Sequence, residues 1–252
     1  MSKIHCTILI LSLILGIRAA HSLTLIHTHP SNPTAFTQGF EYMGNDQAIL
    51  ATGLYGQSSI GVLNIKTGEY TIKDTLSRAF FGEGITQTPY GIWQLTWREN
   101  VAFLRDADDF AIIDTAYYGG EGWGLAYRAD QDIIYMSNGS SIITVRDAKT
   151  FKIKSHINVR HQGANIDQLN ELEFADSFIY ANIWQSNLIA KIDPDTGKVV
   201  KFYDFSDILA NANISDHNRQ NMDVLNGIAH IKDNRFYVTG KFYPMIFEVT
   251  LD

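Results

Sequence analysis

The chain has 252 residues, 45% of them hydrophobic and 19% charged, enough for one globular domain with a sizeable core. A formal net charge of −7 with no basic run argues against a nucleic-acid partner, because phosphate contacts need concentrated Lys and Arg. The single cysteine, Cys6, excludes a disulfide framework.

Residues 1–22 have the pattern of an export signal: Lys3 precedes an apolar run from Cys6 to Ile17 that is too short to span a bilayer comfortably. Ala19, Ala20 and Ser22 offer small-residue cleavage sites, which predicts Leu23 as the mature N-terminus and 23–252 as a single domain without any thiol. Cys6 precedes the apolar run, so a lipid anchor on it is not expected. The expected location is periplasmic or secreted, with no membrane attachment once the signal is removed.

From Leu23 onward, apolar runs of five to eight residues alternate with Gly, Asn and Asp, and no helical period is sustained. In single-letter code, IGVLNI at Ile60, SIITVRD at Ser141, LIAKID at Leu188 and MIFEVTL at Met245 are rich in β-branched residues and predict strands. KTGE at Lys66, DAKT at Asp147 and DPDTGK at Asp193 predict tight turns, and the acidic cluster Asp106, Asp108 and Asp109 an exposed one. Only the polar stretch from Phe205 to Asp223 departs from this pattern; it predicts helical turns inserted between two repeats.

A register recurs five times: QGFE at Gln38, EGIT at Glu83, WGLA at Trp123, NELE at Asn170 and NGIA at Asn226. Its second positions are Gly39, Gly84, Gly124, Glu171 and Gly227, spaced by 45, 40, 47 and 56 residues. A second mark, Gly53, Trp97, Asn138, Trp184 and Lys241, follows each at 13 or 14 residues. Units of this size with short strands predict an all-β, five-bladed β-propeller. The last unit offers three strands, so the strand beginning at Leu23 is expected to supply its fourth and close the ring by pairing the two terminal strands.

Propeller geometry brings equivalent positions together at one end of a central channel. The convergent set is Gln38, Glu83, Trp123, Asn170 and Asn226, with Trp97, Trp184 and Lys241 nearby. It holds one acid, one amine, amides and indoles, suited to a small polar group held against aromatic walls. Each has a plainer alternative: Glu83 in a turn, the indoles in the core between blades, Lys241 paired with an acid, Asn170 capping a strand. For Asn226 the structural role is the expectation.

The ordered motifs FTQGF at Phe36, TGLYGQSS at Thr52, GEGIT at Gly82, QLTW at Gln94, GEGWGL at Gly120, LNELEF at Leu169, YANIWQSN at Tyr180, VLNGIA at Val224 and VTGK at Val238 resemble the plant-type glutaminyl cyclases, also called glutamine cyclotransferases, over essentially the whole mature chain. The resemblance implies a five-bladed propeller that converts the N-terminal glutamine of a peptide or protein to pyroglutamate and releases ammonia. It implies that Glu83 is the catalytic acid/base and that Gln38, Asn170 and Lys241 occupy polar substrate-binding positions. Phe36, Phe81, Trp97, Trp123 and Trp184 fall at its aromatic positions. Asn138 stands where the family usually has Asp, and Tyr243 where it usually has Trp.

The chemistry agrees with that implication. One carboxyl group can take the proton from the attacking α-amine and return it to the departing nitrogen. Fixed donors, Asn170 and Lys241, can stabilise the oxyanion between the two steps, with Gln38 fixing the amine or the peptide backbone. No cofactor is required, the histidines show no metal-ligand spacing, and a monomer is expected. A non-catalytic peptide- or sugar-binding propeller is the alternative, with a glycoside hydrolase behind it, since Glu171 and Glu173 would have to turn inward to supply a second acid.

Overall fold

The computed structural model describes residues 23–252, so the predicted signal segment lies outside the described residues. After β1 (Leu23–Pro30), blade 1 comprises β2 (Thr37–Gly44), β3 (Gln47–Thr52), β4 (Ser59–Asn64) and β5 (Tyr70–Thr75). Blade 2 follows with β6 (Gly82–Thr88), β7 (Gly91–Thr96), β8 (Val101–Arg105) and β9 (Ile112–Tyr117). Blade 3 holds β10 (Leu125–Arg128), β11 (Ile133–Met136), β12 (Ile142–Asp147) and β13 (Ile153–Asn158), after which a small hairpin, β14 (Arg160–His161) and β15 (Ala164–Asn165), stands apart. Blade 4 is β16 (Leu169–Ala175), β17 (Phe178–Ile183), β18 (Leu188–Ile192) and β19 (Val199–Asp204). Two short helices, α1 (Ser206–Asn211) and α2 (Asp216–Asn221), occupy the predicted insertion before β20 (Leu225–Lys232), β21 (Arg235–Gly240) and β22 (Met245–Leu251).

Every blade is a four-stranded antiparallel sheet, and the fifth has the order β1-β22-β21-β20. The first strand therefore does complete the last blade, with Leu23 opposite Leu251 and Pro30 opposite Met245. Together the sheets form a five-bladed β-propeller whose inner strands are β2, β6, β10, β16 and β20.

The burial pattern follows from this geometry. Second strands are covered on both faces by neighbouring blades, so β3 reads as a continuous run, with Ala48, Ile49, Leu50 and Ala51 all buried. Fourth strands face water and carry exposed Ile72, Ile113, Ile153 and Val200. The core is correspondingly divided into five apolar layers, one at each interface between adjacent blades, including the one between blades 5 and 1.

The turns from third to fourth strand share one device. The N–H groups of Gly68, Phe110, Phe151 and Gly197 return to the carbonyls of Asn64, Asp106, Asp147 and Asp193 at 2.8 to 3.1 Å. All four residues have φ between 59° and 71°, a conformation glycine adopts freely and phenylalanine does not. In blades 2 and 3 the cost is offset by burying the phenylalanine ring and by an arginine: Arg105 and Arg146 each donate to the carbonyl of the phenylalanine five residues on, at 2.6 and 2.8 Å. The Asp106 cluster is the blade 2 copy of this turn.

Candidate active site at the channel mouth

The recurring register corresponds to a repeated irregularity. In β2–β3, β6–β7, β16–β17 and β20–β21 the pairing slips by one extra residue near the start of the inner strand, at Gln38, Glu83–Gly84, Asn170–Glu171 and Asn226–Gly227. A β-bulge at such a place turns side chains out of the normal alternation. Here it lies within the first two register positions of four blades, while the β10 position is filled by Trp123 just ahead of its strand.

The glycines of the register are required by crowding where inner strands converge. A Cβ on Gly84 would stand 2.5 Å from the Trp123 carbonyl oxygen, and one on Gly124 would stand 2.2 Å from that of Asn170. The Gly84 N–H instead donates to the Trp123 carbonyl at 2.8 Å, joining neighbouring blades directly. At Glu171, the register position without a glycine, the side chain accepts a hydrogen bond from the Ile228 N–H of the next blade at 2.8 Å.

Glu83 is buried, and its Oε1 accepts from Gln38 Nε2 at 3.0 Å. The Gln38 amide is oriented in turn by Asn226, whose Nδ2 donates to Gln38 Oε1 at 3.2 Å and to the Thr37 carbonyl at 3.0 Å. Asn226 thus does more than cap a strand. Desolvation holds the Glu83 pKa well above the usual carboxylate range; the positive charge of Lys241 opposes this, and the charges of Glu121 and Glu99 reinforce it. Lys241 is also buried, and desolvation lowers its pKa against the opposing charges of Glu83 and Asp223. Its Nζ lies 4.6 Å from the centre of the Phe36 ring, a cation–π contact. Asn170 is buried, and its side-chain amide makes no hydrogen bond among the described residues, so both its donors are free.

The aromatic residues assemble around these groups. Phe36 meets Phe81 and Phe242 edge-on, with ring centres 6.0 and 5.2 Å apart, and Phe81 leans on Trp97 at 5.4 Å. Trp123 and Trp184 meet edge-to-face at 5.6 Å. The three nominated indoles are half-buried at the channel mouth and do not form core between blades. The fourth tryptophan, Trp93, takes that core role: it is 2% exposed and donates from Nε1 to the Ala148 carbonyl of the next blade at 2.8 Å.

Several participants were not legible in sequence. Glu121 accepts from Trp97 Nε1 at 2.8 Å and Trp123 Nε1 at 2.9 Å; Glu99 accepts from the Tyr55 hydroxyl at 2.7 Å. The one available signal for Glu121 was its GEG setting, Gly120 to Gly122, which repeats the setting of Glu83. The two family departures lie off the polar cluster: Asn138 is exposed and turned onto Ser140, and Tyr243 is buried against Gly240. Among the described residues no group of three His, Cys, Asp or Glu side chains is placed to hold a metal ion. Two surface clefts, one beside Met43 and Phe110 and one beside His156 and Asp195, share no residue with the mouth.

Lower in the channel, Glu171 and Glu173 do turn inward, joined by Glu41. Each carboxylate accepts a backbone N–H from the neighbouring inner strand: Glu173 that of His230 at 2.9 Å, and Glu41 that of Gln87 at 2.8 Å. These groups are committed to tying blades together, so they do not provide the free second acid that a glycoside hydrolase needs.

A sequence model of the family described as glutamine cyclotransferase matches residues 15–251. The chain belongs to that family. Among its relatives, the glutaminyl-peptide cyclotransferase of Arabidopsis thaliana is 34% identical over 233 residues, covering 92% of this chain and 72% of the plant protein. The crystal structure of Myxococcus xanthus glutaminyl cyclase superimposes with a TM-score of 0.79 at 31% identity, covering 91% of this chain and 96% of that one. The aldose sugar dehydrogenase of Streptomyces coelicolor, at 10% identity and a TM-score of 0.56 over 92% of this chain and 98% of its own, shares the fold alone. Within the glutamine cyclotransferase family, then, this chain carries its buried acid, amides, lysine and indoles at one end of the propeller.

Proposed function

We propose that this protein is a glutaminyl-peptide cyclotransferase, acting on peptides and proteins that begin with glutamine. The observation that carries the reading is Glu83: a buried carboxyl group, held through one oxygen by Gln38 and biased by desolvation towards its protonated form, at the mouth of an aromatic-walled channel. Because Gln38 donates to Oε1, Oε2 is the oxygen left to exchange a proton with substrate.

Cyclisation requires a neutral α-amine, whose pKa is roughly 7.7 to 8.0 in peptides. The amine nitrogen attacks the γ-carbonyl carbon, forming a carbon–nitrogen bond and placing negative charge on the carbonyl oxygen. Asn170 and Lys241 donate to that oxygen. Glu83 gives its proton to the amide nitrogen, which leaves as ammonia when the old carbon–nitrogen bond breaks, and it takes back the proton of the new ring nitrogen. The carboxyl group ends as it began. Trp97, Trp123 and Trp184 hold the aliphatic stem bent, which lowers the entropic cost of ring closure, and they exclude competing water.

The test is to incubate the purified protein with a peptide beginning with Gln and with the same peptide beginning with Ala, following mass and released ammonia. Loss of one ammonia from the Gln peptide alone is expected. Glu83→Gln should lower turnover by about 10²- to 10⁴-fold, the worth of general acid–base catalysis, with peptide binding largely retained. A Gln peptide left intact by folded wild-type protein would leave the binding-module reading in its place.

Lys3 followed by the apolar run from Cys6 to Ile17 and small residues at Ala19, Ala20 and Ser22 supports action outside the cytoplasm, in a periplasm or the medium. N-terminal sequencing of the protein recovered from that compartment should begin at or near Leu23.

A further inference from the structure

The aromatic residues of the mouth form two groups. Phe242, Phe36, Phe81 and Trp97 are linked ring to ring on one side, and Trp123 and Trp184 on the other. No ring contact joins the groups among the described residues. Glu121 does: its Oε2 accepts from Trp97 Nε1 at 2.8 Å and from Trp123 Nε1 at 2.9 Å. Its Oε1 accepts from Arg98 Nε at 3.0 Å, and the guanidinium carbon of Arg98 lies 3.6 Å over the Trp97 ring.

We propose that Glu121 is a positioning residue for the cyclisation site, fixing the separation of the Trp97 and Trp123 walls between which the glutamine stem is bent; this rests on the cyclotransferase reading above. An indole N–H is a single in-plane donor, so one that is bonded at a known point sets the rotation of its whole ring. Two such donors converging on one oxygen fix both rings relative to each other. An oxygen with two free lone pairs can take both, and a carboxylate has one to spare for the indoles while its second oxygen takes Arg98. Arg98 keeps it in place from the far side. Partial burial raises the Glu121 pKa, but the hydrogen bonds from Trp123, Trp97 and Arg98 outweigh this and hold it below the usual range, so the clamp stays ionised.

The same charge reaches the proton carrier. Glu121 is one of the negative neighbours that favour the protonated form of Glu83. Wall geometry and the acid's proton affinity are therefore coupled through one side chain, and a role in packing alone would not produce that coupling.

Steady-state kinetics across pH on Glu121→Ala and Glu121→Gln test this. Glu121→Ala should raise KM for a Gln-initiated peptide by about 10-fold or more while kcat changes less, since it removes hydrogen bonds to a charged acceptor. Its tryptophan emission should shift to the red as the indoles loosen. Glu121→Gln keeps an acceptor oxygen and should raise KM less, but with the charge gone the alkaline limb of its kcat profile should move to lower pH. Should Glu121→Ala fail to fold, Glu121→Asp, whose shorter side chain cannot reach both indoles, serves in its place. A wild-type KM in the Ala variant, or an unmoved alkaline limb in the Gln variant, overturns the proposal. If the wild-type protein releases no ammonia, the cyclotransferase reading fails by itself, and the emission comparison, which needs no turnover, still decides whether Glu121 holds the indoles.

Discussion

Glu83 and Lys241 are both buried, and desolvation pushes each towards its neutral form while the charge of the other resists. An amine in that position is a strong donor to a developing oxyanion without locking the acid into a permanent ion pair. Lys241→Met, which keeps the length and removes the donor, should therefore lower kcat by about 10²- to 10³-fold, the typical cost of losing one oxyanion donor. Lys241→Arg should rescue little, because the planar guanidinium does not replace a compact ammonium above the Phe36 ring. At this scale the sequence was informative where chemistry is rare. Glu83 stood out as the one acid at the first register position, and the structure places it beside Gln38 as expected. Glu121 escaped notice because it acts through the orientation of other side chains, and an ordinary acid in a loop carries no mark of what it is aimed at; Asn226 was read as structural, and the structure has it orienting Gln38.

Among the elements, the inner strands determine most. Their glycines were visible as a repeat because crowding leaves no room for any other residue, as at Gly124, where an added Cβ would meet the Asn170 backbone. Gly124→Ala should destabilise by about 3 kcal/mol or more, since the obstructing atom is backbone and cannot rotate away; urea denaturation measures it. Gly119→Ala, with nothing within 4 Å of the new atom, is the control and should be close to neutral. The bulges left no comparable trace, because they fall where the inner strands are buried without alternation, so the break in period has nothing to show against. The turn phenylalanines were hidden for the opposite reason: Phe110 and Phe151 stand where two other blades use glycine, and their strained φ is tolerated because each ring is buried and each carbonyl is held by an arginine. Phe151→Ala removes the burial and keeps part of the strain, and should cost about 3 to 5 kcal/mol, again read by denaturation.

At the scale of the whole ring, the channel carboxylates make stability depend on pH. Desolvation first, and then the charge of Glu173, push the Glu41 pKa up to about 8; desolvation pushes that of Glu173 up to about 7. Both keep some surface open to the channel, yet protein surrounds them on every side. The folded state thus holds protons that the unfolded chain releases at about pH 4.3, and stability falls as pH rises towards the folded values. His29, whose pKa burial lowers, acts in the opposite sense, but only below its ordinary value of 6.5. Between about pH 6.5 and 8 the carboxylates are left to dominate, so the melting temperature should decline across that interval, and Glu41→Gln should flatten the decline. The number of blades and the shared fifth blade were legible because both follow from counting units and strands. The inward carboxylates were not, since a strand's alternation says which face a residue takes and not what lies across a channel. Deleting residues 23–30 would expose the edge of β22 and remove a ladder worth about 4 kcal/mol, equivalent to a melting temperature lower by roughly 10 °C.

The pairing of β1 with β22 also sets an order of events. On a ribosome, β1 emerges ahead of every other strand and has no partner until β22 has been made, because Leu23 must meet Leu251 and Pro30 must meet Met245. Contacts so far apart in the chain form last, after the intervening blades have drawn the two ends together. Until then, a nascent or prematurely terminated product keeps an open sheet edge, the feature that marks a chain for aggregation or capture by chaperones. The seam between first and last strands thus works as a test of length: only a product carrying all five blades can pass it.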